Sequence, residues 1–503
     1  MLKIANARVY DPKNNLLGES ADLYAQGGKI SPPGEADETY DAGGGIVMAG
    51  AIDIHSHIAG YPLNLVRGGE LSALAPCVSD TGFEYARMGY TAVVNPALPA
   101  LSAKQAFLEE NAIPNLDKLN LVWIGENPAF LNIASEGGRE ELEHYLSWLI
   151  EVSGGYGFKV INPRGGDAGG PLGYAALLGR LLECNERLKL PHALHLHHPY
   201  LGGMDAYRAV CETIRRADGL RLHLAHLQFY GYKTGRDGRM LSAAEELARA
   251  INSSESVTFD AGQVVFGDAA AVTADIGFAR KLAGEKRNGG FMQQLWEEDG
   301  GFGVLGLSYS RDNYVGSMQW LVGLELMLLT EDPGKVFLST DHPNGGPFTA
   351  YPTLIRLLMD KAFRDEQVKL LHPRAQANTC LGDISREYTL AEIAALTRSG
   401  PARCLGLDFK GHLGVGADAD IVVYREQRDF AEMFARPAAV FKSGVNIAKT
   451  PPPTSILMAK PPQYDRDFVR GRVGKHLSVG FSEAFMSGEF LLQNGAAYFE
   501  GRR

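Results

Sequence analysis

Cysteine is scarce in this chain: Cys77, Cys184, Cys211, Cys380 and Cys404 are the only five in 503 residues, widely scattered and without a Cys-x-x-Cys pair. Neither a disulfide framework nor an iron–sulfur ligand set is visible in that spacing, so the chain is expected to carry no iron–sulfur, molybdenum or tungsten cofactor of its own. Long apolar runs are missing as well. No segment approaches the roughly 18 residues that span a bilayer, and Met1-Leu2-Lys3-Ile4-Ala5-Asn6-Ala7-Arg8 lacks the apolar stretch of a signal peptide, which reads as a cytoplasmic protein without a membrane partner. Runs of one charge are absent too: 59 acidic and 49 basic residues, a net charge of -10, are mixed along the chain. That balance speaks against nucleic acid as a ligand. What is present, 45% hydrophobic and 21% charged residues, is the composition of an ordinary globular protein with a large core.

Eight short apolar or β-branched runs recur between residues 46 and 340: Ile46–Ile54, Thr91–Val94, Leu119–Ile124, Tyr156–Ile161, Ala193–His197, Arg221–His226, Val257–Asp260 and Val336–Thr340. Stretches between them, such as Glu140–Glu151 and Tyr174–Arg187, have helical spacing. Strands alternating with helices predict an α/β fold, a (β/α)8 TIM-like barrel, with a doubly wound sheet as the runner-up. Residues 1–48 and 405–450 read instead as short strands with Gly, Asp and Pro turns, a composite β-sandwich domain built from both chain ends. The barrel would then occupy 49–404, with a long insertion at about 261–335, and Pro451-Pro452-Pro453 would open a C-terminal tail, 451–503.

The stretch Thr340-Asp341-His342-Pro343-Asn344-Gly345-Gly346 puts a carboxylate at the end of a buried run and then turns the chain, as an acid/base group of a metal-assisted hydrolase requires. An Asp there is equally a turn-former, so its weight depends on the histidines upstream. In Asp53-Ile54-His55-Ser56-His57, strand alternation sends His55 and His57 to one side, half of a metal site. Six of thirteen histidines, His192, His195, His197, His198, His223 and His226, fall on or beside the fifth and sixth runs. His197 and His226 lie at the strand ends, where barrels keep catalytic groups, and are taken as ligands. His195 and His223 read as satisfied interior or supporting residues, and His198 stays open. Lys159 lies in the apolar run Gly157-Phe158-Lys159-Val160-Ile161. It is either a lysine reaching to the barrel mouth or, after reaction with CO2, a carbamate able to bridge two cations. Four histidines, a carbamate and a carboxylate would suit two borderline metals such as Zn2+ about 3.5 to 4 Å apart. Arg164, Gln228, Tyr230 and Asn344 follow the fourth, sixth and eighth runs and are each either substrate-orienting or ordinary loop residues.

The order His-x-His, Lys, His, His, Asp resembles the amidohydrolase superfamily, in particular its dihydroorotase and hydantoinase branch. Longer strings are similar to a narrower family, the A subunits of formylmethanofuran dehydrogenase and of the formyltransferase/hydrolase complex: Asp260-Ala261-Gly262-Gln263-Val264-Val265-Phe266-Gly267, Gln319-Trp320-Leu321-Val322-Gly323-Leu324-Glu325, Asp341 to Tyr351, and Arg386-Glu387-Tyr388-Thr389-Leu390-Ala391-Glu392-Ile393. The segment after His197, His198-Pro199-Tyr200-Leu201-Gly202, departs from that family's pattern. The resemblance implies a binuclear zinc site: His55 and His57 on one Zn2+, His197 and His226 on the other, carboxylated Lys159 between them, and Asp341 as ligand and proton shuttle. It also implies formylmethanofuran as substrate, hydrolysed to formate and methanofuran or formed in reverse, and partner subunits of a one-carbon complex. A free-standing cyclic amidohydrolase acting on hydantoin-like rings would share every ligand, and a scaffold subunit without catalysis would share the fold.

Overall fold

The computed structural model describes residues 1–125, 128–161, 173–217, 219–273, 295–297 and 302–472. Arg164 and residues 473–503 of the tail lie outside them. Eight parallel strands follow one another in space in chain order: Ala51–Asp53, Tyr90–Leu98, Asp117–Ile124, Gly157–Ile161, Leu194–His197, Leu222–Leu224, Val257–Asp260 and Val336–Phe337. Each is followed by a helix, among them Arg139–Ser153 after the third strand and Tyr314–Leu329 after the seventh. The sheet is curled, and beyond the ends of its first and eighth strands Ser56 bridges His342 and the His57 N–H donates to the His342 carbonyl at 2.8 Å.

Alternation along the strands explains this architecture. Val160, Leu194, Leu196, Leu222, Leu224, Val257 and Phe259 point outward into one continuous apolar core under the helices. Their neighbours in sequence point inward, and the parallel register aligns Lys159 with His195, His195 with His223, and His223 with Thr258. The interior of the curled sheet therefore carries a row of polar side chains where parallel sheets of this kind hold mostly branched apolar ones. The helix Arg139–Ser153 shows why the outer layer forms: Glu140 and Glu141 lie in its first turn, Leu142, Tyr145, Leu146, Leu149 and Ile150 are buried at helical spacing, and Gly154 closes it in the left-handed conformation at φ 63°.

Both chain ends contribute to a second, mixed eight-stranded sheet. It includes Leu2–Asp11, Leu16–Gln26 and Ile46–Ala49 from one end and Ile421–Tyr424 and Ala439–Lys442 from the other. The run Ile46–Ile54, read above as one strand, is thus two strands in two sheets. The break falls at Gly50, where a Cβ would lie 2.1 Å from Thr91 Oγ1, so only glycine lets the chain pass between the sheets. The long insertion is also partly regular: Gly267–Thr273 pairs with Phe302–Tyr309 as an antiparallel ribbon, and the helix Tyr314–Leu329 is the ordinary seventh crossover. The tail packs on the third strand, with Ile456 and Leu457 beside Lys118 and Leu119.

A buried ion cluster joins the two sheets. Lys410 Nζ lies 2.6 Å from Asp117, 2.6 Å from Asp418 and 3.0 Å from Asp420, and Lys442 Nζ lies 2.8 Å from Asp117 and 3.2 Å from Asp420. Burial by itself would favour the neutral amine of Lys410, but Asp420, Asp117 and Asp418 outweigh it and hold its pKa above the usual lysine range. Removing one partner of such a group leaves uncompensated buried charge. Lys410→Ala is therefore expected to destabilise the protein by about 3–5 kcal/mol, measured as a lower midpoint in guanidinium denaturation; an unchanged midpoint would show the cluster to be energetically idle.

Candidate active site

The C-terminal ends of the strands bring the histidines, Lys159 and Asp341 into one buried centre. Lys159 Nζ lies 2.6 Å from His55 Nε2, which is also 2.9 Å from Asp341 Oδ1, while His57 Nε2 lies 3.5 Å from the same oxygen. His197 Nδ1 and His226 Nε2 share a hydrogen bond of 3.0 Å, and the His226 ring centroid is 5.6 Å from that of His55. All six side chains are buried. His226 Nδ1 has no hydrogen-bond partner among the described residues.

Two of these residues sit in backbone conformations that L-residues rarely adopt, His226 at φ 35° and Asp341 at φ 49°. Such strain costs on the order of 1–3 kcal/mol per residue and persists only where the surroundings impose it. They do so here. The His226 N–H donates to Asp260 Oδ1 at 3.0 Å, and Gly262, itself at φ 56°, passes so close that a Cβ would lie 2.2 Å from His226 Cβ. The Asp341 N–H donates to Ser339 Oγ at 2.8 Å, and that hydroxyl donates to the His55 carbonyl at 2.8 Å, tying the eighth strand to the first.

The carboxylate that organises the centre is Asp260, at the end of the seventh strand. Its Oδ2 accepts from His55 Nδ1 at 2.9 Å and from His223 Nε2 at 3.2 Å. With Nδ1 protonated, His55 presents the lone pair of Nε2 toward Lys159 and Asp341, the tautomer a metal ligand needs. Asp53 anchors the other side of the strand: it accepts from Tyr85 at 2.6 Å, Tyr351 at 2.5 Å and the His55 N–H at 3.0 Å.

Burial penalises every charge in this centre, and neighbours decide which groups keep theirs. Desolvation pushes the Asp341 carboxyl up, but His55, His57 and His226 outweigh it and hold it well below the usual carboxylate range. Burial lowers Lys159 to about 8 against the pull of Asp341 and Asp260, so a neutral amine is accessible near neutral pH. Burial also drives His226 far below the ordinary imidazole value, with His197 adding to the effect. Imidazoles that burial holds toward the neutral form at His57 and His226, an ionised carboxylate and an amine that can lose its proton form a donor set that fits divalent cations. His55, His57 and Asp341 by themselves bring their ligand atoms within 4.8 Å of one another.

Above these residues lies a cavity of about 430 Å3. His57, Lys159, His197, His226 and Asp341 face it from below; Leu201, Phe229, Val272 and Leu307 give it apolar walls, and Gln319 and Asn344 add polar groups. The ribbon of the insertion supplies Val272, Leu307 and Tyr309, so this segment roofs the site.

The model of the amidohydrolase family matches residues 38–445. The chain belongs to that family. This amidohydrolase is 36% identical over 493 residues to the A subunit of the formyltransferase/hydrolase complex Fhc of Methylorubrum extorquens, covering 89% of this chain and 88% of the relative. It is 34% identical over 503 residues to the protein FwdA of Methanocaldococcus jannaschii, again covering 89% and 88%. Among solved structures, the formyltransferase/hydrolase complex FhcABCD of M. extorquens with methylofuran contains a chain that superposes with a TM-score of 0.86 at 33% identity, covering 94% of this chain and 95% of that one. The zinc-containing N-acyl-D-glutamate deacylase of Bordetella bronchiseptica shares the fold, with a TM-score of 0.55 at 17% identity over 91% of this chain and 99% of that one.

Within the amidohydrolase the remaining sequence candidates take other places. Gln228 Nε2 donates to the Gly262 carbonyl at 2.6 Å and Tyr230 donates to the His198 carbonyl at 2.7 Å, so both pack the loop after the sixth strand. Asn344 does line the cavity, with Oδ1 held by the Val272 N–H at 2.6 Å. His198 Nε2 pairs with Thr213 Oγ1 at 3.0 Å. His223 is satisfied, between Thr258 and Asp260, but His195 is not: neither of its ring nitrogens has a hydrogen-bond partner among the described residues. Sequence reasoning passed over Asp260 as a site residue although it ends a predicted strand, the same signal that singled out His197. Gly262→Ala is expected to displace the His226 imidazole and to cost about 1–3 kcal/mol, checked by denaturation and by the position of the ring in a crystal structure of the variant.

Proposed function

We propose that this amidohydrolase cleaves, or in reverse forms, the N-formyl group of formylmethanofuran, giving formate and methanofuran, as the A subunit of a one-carbon complex with partner subunits. The observation that carries the reading is 36% identity over nine-tenths of the chain to one component of a formyltransferase/hydrolase complex, in a chain whose six candidate residues converge at one buried centre.

His55 and His57 would hold one Zn2+, His197 and His226 the other, with carboxylated Lys159 between them and Asp341 as a further ligand. The lowered pKa of Lys159 supports its carboxylation, since only a neutral amine adds CO2. Bound there, the two cations would polarise the formyl oxygen and bring the pKa of a water toward neutrality. The chain's own residues carry the rest. Asp341, kept ionised, accepts the proton of the attacking water and returns it to the departing amine nitrogen as the C–N bond breaks. The apolar wall of Leu201, Phe229, Val272 and Leu307 holds the part of the substrate next to the formamide and keeps bulk water away. The contact between His55 Nδ1 and Asp260 Oδ2 turns His55 Nε2 toward the buried centre.

The same reading treats the curled sheet as a closed TIM-like barrel, residues 49–404 with the insertion 261–335, and treats the terminal segments 1–48 and 405–450 as one small β-sandwich domain followed by the tail 451–503. The bridge between Ser56 and His342 and the separate apolar core around Ile4, Val9, Ile421 and Phe441 support that division.

Formate release from formylmethanofuran by the purified complex is the decisive assay; ring opening of hydantoins without formate release would overturn the assignment. Asp341→Asn is expected to lower kcat at least ~100-fold, measured by formate production. Lys159→Ala is expected to lose both zinc and activity, and a zinc content equal to that of an inactive wild type would mark the protein as a scaffold.

A further inference from the structure

The row of polar residues inside the curled sheet includes a group that the proposed hydrolysis does not use. His195 lies two residues before His197 on the same face of its strand, one layer deeper, and is fully buried. Its ring stands edge-on to His55 at 4.9 Å and to His223 at 4.8 Å between centroids. An imidazole with neither nitrogen partnered among the described residues is costly to bury. Asp260 Oδ2 lies 3.9 Å from His195 Nε2, beyond hydrogen-bond reach.

We propose that His55, His195 and Asp260 form a further divalent-cation site beneath the hydrolytic centre. Ligand atoms of the three lie within 4.8 Å of one another, and all three side chains are completely buried. The separations from Asp260 Oδ2, 2.9 Å to His55 Nδ1 and 3.9 Å to His195 Nε2, bracket the roughly 3.3–3.4 Å edge of a tetrahedron with zinc-like bonds of about 2.0–2.1 Å. The supporting bonds are in place: His223 Nε2 orients the Asp260 carboxylate at 3.2 Å, and Thr258 Oγ1 fixes His223 at 2.9 Å. Two imidazoles and a carboxylate select borderline cations, Zn2+ or Co2+. Binding releases the His55 Nδ1 proton to solvent, and His55 then faces this cation with one nitrogen and the hydrolytic centre with the other.

The site stands or falls independently of the substrate assignment. Elemental analysis of the purified complex reconstituted with Zn2+ should show one equivalent fewer per chain in His195→Leu than in the wild type, while formate production keeps its wild-type dependence on the remaining metal. Equal zinc content in the two would overturn the proposal. Should His195→Leu fail to fold, anomalous diffraction at the zinc edge from wild-type crystals decides the matter: a peak among His55, His195 and Asp260, separate from those beside Lys159, is the expected result, and density for a water alone at that position overturns it. Loss of formylmethanofuran activity with the third peak present would instead refute only the hydrolase reading.

Discussion

The Asp260 carboxylate is the interaction on which the candidate centre depends. One oxygen accepts from His55 and His223, the other from the backbone of His226, so a single buried group fixes residues at the ends of the first and sixth strands from the end of the seventh. Convergence of this kind is what a curled parallel sheet offers: each strand delivers one side chain to a common interior, and a carboxylate in the middle sets their tautomers and angles together. Burial makes these bonds strong, because no water competes for the donors.

Around that hub the centre is held in an electrostatic compromise. An ionised Asp341, an ionised Asp260 and an amine of lowered pKa lie buried together, and each is tolerable only because of its neighbours. The backbone shares the load. His226 and Asp341 are both forced into left-handed conformations, one pressed by Gly262, the other tethered through Ser339. At the opposite end of the strands a second compromise, two lysines among three aspartates, ties Asp117 of the curled sheet to Lys410, Asp418, Asp420 and Lys442 of the terminal segments. Buried charge thus sits at both ends of the curled sheet, two lysines against three aspartates at the base and donors for cations at the top.

Much of the site was legible in the sequence because strand periodicity and strand ends are local properties. His55 and His57 reach the centre from just beyond the strand Ala51–Asp53 and not by alternation within it, while His197, His226 and Asp341 end or follow runs that do form strands. Asp260 escaped notice because its role is to touch groups on two other strands, which no local pattern reveals. His195 was read as a satisfied interior residue on the same grounds as His223; only the register against neighbouring strands and the reach of Asp260 separate the two. The single run Ile46–Ile54 concealed a break because Gly50 looks like any other glycine until Thr91 is seen beside it.

By itself the sequence determined the alternation of strands and helices, the absence of a membrane-length apolar run and the residue types at the strand ends, all consequences of short-range periodicity and composition. The tertiary structure decided which imidazoles face the candidate centre, which carboxylate orients them and which charges survive burial. Those outcomes follow from distances between segments far apart in the chain, where a shift of one register position would turn every one of these side chains to the other face of the sheet.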